Sequence, residues 1–173
     1  SVYAQLTFDG KNYLPSAECL GCVPQYTTFR INYTLSQDFG SGGQVRIYFG
    51  YIWQNETIIE LGNGLWTNFN IKNPSSAGYS TVTTKNNKDF ILYQSNSQDL
   101  WPNKFGFEIN QTNQSNPFKT GEEFYFVLGD TSYGSPGYQI SPISADAQII
   151  IEERKNAAEP YIKVYSDFIY PHI

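Results

Sequence analysis

One histidine, two cysteines and no methionine occur in these 173 residues, and each scarcity closes a class of chemistry. A Ser-His-Asp relay would have to use His172, next to the chain's end, where a solvated residue is expected. A structural zinc site built on Cys19 and Cys22 lacks the second ligand pair that tetrahedral coordination requires. Charge is also sparse: Asp, Glu, Lys and Arg make up 16% of the chain, against about 25% in an average domain. The 11 Lys and Arg give a net charge of -5, with no basic cluster, so the phosphate backbone of a nucleic acid would be repelled. No apolar run approaches the roughly 20 residues that span a bilayer, and no leader-like segment opens the chain. This segment is expected to be soluble, without membrane insertion.

What is abundant is aromatic: 14 Tyr and 12 Phe, in a chain whose polarity comes from Asn, Gln, Ser and Thr. Aromatic and β-branched side chains fit a pleated, half-buried surface, so the composition favours strands. Such an uncharged polar surface is common outside cells, which places the chain in an extracellular or cell-envelope setting. The length suits a single domain over 1–173. The apolar ending, Asp167 to Ile173, is expected of a boundary drawn inside a longer exported chain.

Period-2 alternation is clearest over Tyr26–Leu35, with Phe29, Ile31 and Tyr33 on one face and Arg30, Asn32 and Thr34 on the other. Val2–Phe8 precedes it, and a Gly-rich reversal at 36–43 leads to Gln44–Trp53 as the return strand. Gly78–Thr84 and Asp89–Gln94 flank Lys85-Asn86-Asn87-Lys88 and read as a hairpin. Lys104–Asn110, Ile140–Ile143, Ala145–Glu153 and Tyr161–Tyr165 follow the same logic, with Asn113–Thr120 as a polar loop. No helical pattern or internal repeat appears. Short strands with turn signals every 8 to 12 residues predict an all-β, antiparallel β-sandwich of about nine strands, Ig-like with Greek-key connections. A closed barrel is the alternative.

Gly121–Gly137 organises the rest. Phe124–Leu128 is a run of aromatic and branched residues bounded by turns, which predicts a strand buried on both faces. It stops at Gly129-Asp130 and passes into a Ser-, Gly- and Pro-rich loop, so an interior strand brings the Asp130 carboxylate to the rim of the fold.

The order of Tyr33-Thr34-Leu35, Gly42-Gly43, Val45–Phe49, Asn73-Pro74, Gly78–Val82, Leu128-Gly129-Asp130 and Gly134–Gly137 resembles the all-β N-terminal region of large exported proteins. The later part of those proteins looks like a PHP-type metal-dependent phosphoesterase. The likeness covers roughly Tyr26 to Gly137. It implies an accessory module, because the histidine-rich metal motif of the hydrolase part has no counterpart here. The partners it implies are other domains of the same polypeptide.

Candidate sites follow from residue chemistry. Asp130, with Thr131 and Ser132, could form an oxygen-only calcium shell, as could Asp38; otherwise each carboxylate accepts nearby backbone N–H groups. Cofactors are otherwise none. Glu122-Glu123 reads as a solvated start to its strand, with side chains facing opposite ways, and no carboxylate pair suggests glycoside hydrolysis. The expectation is a non-enzyme. Trp66 and Trp101 lie in loops among Asn and Gln, so they are candidates for stacking on a polysaccharide, or else core residues like Trp53. Another surface protein is a further candidate partner. Cys19 and Cys22, in Cys-Leu-Gly-Cys, read as a local disulfide, with packing thiols and metal or redox chemistry as alternatives. Asn32, Asn55, Asn110 and Asn113 each head an N-glycosylation sequon.

Overall fold

The computed structural model describes residues 6–9, 25–49, 52–54, 57–59, 70–96, 105–140 and 147–169. The described strands are β1 (Leu6–Asp9), β2 (Gln25–Thr27), β3 (Phe29–Thr34), β4 (Gln44–Phe49), β5 (Ile52–Gln54), β6 (Thr57–Ile59), β7 (Ser80–Thr84), β8 (Phe90–Asn96), β9 (Phe105–Gln111), β10 (Glu123–Leu128), β11 (Tyr138–Ile140), β12 (Ala147–Arg154) and β13 (Ile162–Ile169). A single 3-10 turn, Thr131–Tyr133, is the only helical element among the described residues.

Two antiparallel sheets hold the body of the fold: a four-stranded sheet ordered β1-β3-β10-β7 and a five-stranded sheet ordered β13-β12-β4-β9-β8. They hold nine of the thirteen described strands. The short pairs β11-β2 and β5-β6 are separate. Most sheet neighbours are distant in sequence, as Greek-key crossovers require. The inner faces meet in one core: Phe29, Ile31 and Tyr33 of β3 with Phe124, Phe126 and Leu128 of β10 on one side, and Val45, Ile47, Phe107, Ile109 and Ile151 on the other. All-β, sandwich-like architecture is therefore present as the alternation predicted.

Four local expectations are corrected. Gly78–Thr84 and Asp89–Gln94 do not form a hairpin: β7 pairs with β10, and β8 pairs with β9 in the other sheet. The apolar face of β7 (Val82) and that of β8 (Phe90, Leu92) pack on one core from opposite sheets, so the chain crosses between sheets at 85–89. The crossover is fixed by Glu122, which accepts from the Asn86 amide at 2.9 Å and its Nδ2 at 2.7 Å. Glu122 is consequently buried, not a solvated carboxylate. Likewise 36–43 carries β3 across to β4 of the opposite sheet. Finally, Phe124–Leu128 is not buried on both faces; Phe124, Phe126 and Leu128 point into the core while Tyr125 and Val127 are half-buried on the outer face. Tyr125 and Val127 are apolar enough to mask the alternation in sequence.

The β3–β4 crossover needs its glycines for two different reasons. Gly42 sits at φ +80°, and a Cβ there would lie 2.8 Å from Ala157 Cβ and 3.0 Å from Ala157 N. Gly43 has ordinary backbone angles, but an added Cβ would meet Phe39 Cδ2 at 2.5 Å. A left-handed alanine costs roughly 1–2 kcal/mol before any clash. Gly42→Ala is expected to lower unfolding free energy by about 2–3 kcal/mol in urea titration. A loss below about 0.5 kcal/mol would show that the 155–160 loop yields freely.

Candidate functional site

At the end of β10 the chain turns sharply, and the Asp130 carboxylate organises the turn. Its Oδ1 accepts from the Ser132 amide at 2.9 Å, capping the 3-10 turn, and its Oδ2 accepts from Thr81 Oγ1 at 2.6 Å, tying the turn to β7. Burial alone would push this carboxyl up. The Thr81 and Ser132 hydrogen bonds, with the charge of Arg30, outweigh it and hold the group below its ordinary value. The Asp130 amide donates to Tyr79 O at 2.7 Å, Gly78 N donates to Gly137 O at 2.9 Å, and Thr28 Oγ1 donates to Gly129 O at 2.9 Å. Gly134 closes the turn at φ 101°, where a side chain would be strained.

This frame displays one ring. Tyr133 is 63% exposed, and it meets Tyr79 edge-on with ring centroids 6.0 Å apart and planes at 70°. Asp130 itself is buried, and each of its oxygens already accepts from a protein donor. The turn can therefore present an aromatic surface to a partner, with the carboxylate serving as its anchor. Sequence reasoning singled out this loop but passed over Tyr133, weighing only tryptophans as stacking residues. The available signal was an aromatic between Ser132 and Gly134, in a turn that leaves most of its ring uncovered.

A second constellation, also not anticipated, lies on the outer face of the five-stranded sheet. Cross-strand register aligns Lys163, Glu152, Arg46, Glu108 and Tyr93 in one row over β13, β12, β4, β9 and β8. Arg46 Nε donates to Glu108 Oε2 at 2.8 Å, and the Arg46 guanidinium lies 3.7 Å from the Tyr161 ring centroid. Arg154 approaches the same ring at 5.1 Å and donates to Gly42 O at 3.2 Å, while the Tyr161 hydroxyl donates to Gln44 Oε1. Burial raises the Tyr161 hydroxyl; Arg46 and Arg154 pull it down while Glu108 and Glu152 add to the rise. Opposite charges here compensate one another around a shared ring, which suits a structural clasp.

Asp38 is exposed and accepts from the Thr120 amide at 2.8 Å and Thr120 Oγ1 at 3.0 Å, joining two loops far apart in sequence. The Thr120 amide bond, ahead of its hydroxyl, lowers the Asp38 carboxyl against slight burial. Asp38 and Asp130 thus belong to separate networks, and no group of three or more metal-ligating side chains occurs among the described residues. Cys19, Cys22, Asn55, Trp66 and Trp101 lie outside the described residues. Asn70, four residues after Trp66 in sequence, is engaged locally: its Oδ1 accepts from the Asn73 amide and its Nδ2 donates to Ala77 O. Asn32 is exposed on β3, whereas Asn110 Oδ1 is buried without a hydrogen-bond partner. Asn113 donates to Asp89 Oδ2 at 3.0 Å and accepts from the Ser115 amide at 3.0 Å in a turn. No helix among the described residues is long and apolar enough to cross a membrane.

No protein-family model, curated protein or solved structure matches this chain.

Proposed function

We propose that this β-sandwich is a non-catalytic interaction module of a larger exported protein, and that it meets its partner through the Asp130 end. The observation that carries the reading is Tyr133: a large ring held out in solvent on a turn fixed by a side-chain cap, a left-handed glycine and bonds to β7. A pre-ordered aromatic loses little freedom on binding, which is why Tyr is over-represented where interfaces gain their energy. The resemblance described above supplies the first partner, a neighbouring domain of the same polypeptide, with positioning of a metal-dependent hydrolase as the role.

A second reading has the same site stack on a polysaccharide, since the exposed Tyr133 ring, met edge-on by Tyr79, offers one flat apolar face to a sugar. The test is amide-resolved NMR of the labelled chain, titrated first with the polypeptide segment that follows it in the full-length gene and then with xylan, amylose and polygalacturonate fragments. Shifts confined to 70–79 and 129–137, with Tyr133→Ala weakening binding about 10-fold or more, are expected. The titrant that produces them assigns the class. Shifts elsewhere, or an unaffected Tyr133→Ala variant, would sink the assignment of this face.

A further inference from the structure

The described sequons are not equivalent in the fold, and one has a feature that the others lack. Asn32 and Thr34 are neighbours on the outer face of β3, in the interior of the four-stranded sheet. Directly across on β10, Asn32 faces Tyr125 and Thr34 faces Glu123. Facing side chains on adjacent strands sit with Cβ atoms roughly 5 Å apart. The Tyr125 hydroxyl donates to Glu123 Oε2 at 2.7 Å, so the side chain opposite Asn32 runs along β10 toward the row of Thr34. That hydrogen bond also raises the hydroxyl's pKa, with smaller contributions from burial and from the charges of Glu123 and Glu122. The other sequons are placed differently. Asn110 keeps its Oδ1 buried, and both amide atoms of Asn113 are engaged in its turn.

We propose that Asn32 is an N-glycan attachment site whose first sugar lies on the Tyr125 ring. The donor is a lipid-diphosphate-linked oligosaccharide. Asn32 Nδ2 bonds to the anomeric carbon, the bond from that carbon to the lipid diphosphate breaks, and the amide gives up one proton as the diphosphate departs with the electron pair. Stacking then buries the apolar face of the sugar on a ring already fixed in place. The glycan would extend over the Glu123 end of β10, away from the Asp130 turn, and so leaves the face assigned to the partner open. This inference rests on the exported reading for its natural setting, although its test does not.

The chain is expressed behind a secretory leader in eukaryotic cells, and each occupied Asn is converted to Asp by a deglycosylating amidase and mapped by peptide mass. Asn32 is expected to be occupied. Enzymatic removal of the glycan is expected to lower Tm by about 3 °C in the wild type and in Tyr125→Phe, with no change in Tyr125→Ala. Tyr125→Thr, which keeps strand propensity, replaces the alanine variant if that fails to fold. An unoccupied Asn32 in the folded, secreted chain, or an equal Tm loss without the ring, would overturn the proposal. Natural export is read separately, from a leader on the full-length gene.

Discussion

Phe118→Ala is expected to remove about 3–5 kcal/mol of unfolding free energy, a large share of the 5–15 kcal/mol that a domain possesses. Phe118 lies in the loop between β9 and β10, yet its ring is fully buried. It stands edge-on to Phe124 of β10 at 5.0 Å and to Phe39 of the β3–β4 crossover at 6.0 Å, and tilted to Phe90 of β8 at 6.5 Å. One ring therefore touches both sheets and the crossover that joins them. Its backbone is fixed as well: Phe118 O accepts from the Phe39 amide at 2.9 Å, and Phe118 N donates to Gln111 Oε1 at 2.6 Å. Removing the ring leaves a hole that the surrounding aromatic side chains cannot fill without losing their own edge contacts. Phe118→Leu should cost no more than about 1.5 kcal/mol, because most of the volume is retained. Thermal unfolding would show the difference as a fall of about 6–20 °C for alanine and a few degrees for leucine. A fall of under 2 °C for alanine would mean that the ring does not close the end of the core.

The same residue marks where the sequence stops being informative. Phe29, Ile31 and Tyr33 are legible because their spacing states the period of a strand, and all three are buried as read. Phe118, within Asn-Gln-Ser-Asn-Pro-Phe-Lys, carries no period, so a single apolar residue in a polar loop looks like surface. Sheet membership is hidden for a related reason. The turn residues at 85–88 bend the chain, and nothing local distinguishes a hairpin from a step into the facing sheet; Glu122, which secures that step, arrives from 36 residues later. Of the site, the loop and its anchor Asp130 were readable from the abrupt stop of an apolar strand. The clasp of Arg46, Glu108, Arg154 and Tyr161 was not, because it forms only when β4, β9 and the chain around β12 come into register.

Glu153 carries the second large effect, and its sign is unusual for a carboxylate. On β12 it follows Ile151 on the inner face and is 0% exposed. Its oxygens accept only from Ser36 in the structure as described, the amide at 3.1 Å and the hydroxyl at 2.7 Å, which ties the end of β3 to the opposite sheet. Burial pushes its carboxyl from 4.5 up to about 7, and the Ser36 amide opposes the rise only in part. Between these values the native state holds the proton that the unfolded chain releases, so stability falls as pH rises from about 4.5 through about 7 and is level above that. The drop from this one group is about 3 kcal/mol at most. Asp38 and Asp130 act in the opposite sense: their lowered values favour the native state above the ordinary carboxylate range, and that contribution is lost at more acidic pH. Glu153→Gln reproduces the neutral form, since its carbonyl can accept the Ser36 amide and its NH2 can donate to Ser36 Oγ. The variant should match the wild type near pH 4.5, exceed it by about 2–3 kcal/mol at pH 8, and show no slope between. Urea titrations at a series of pH values measure this directly. Ser36→Ala, which removes one donor to the ionised form, should move the midpoint of the slope upward. Parallel curves for wild type and Glu153→Gln would place the titrating group elsewhere.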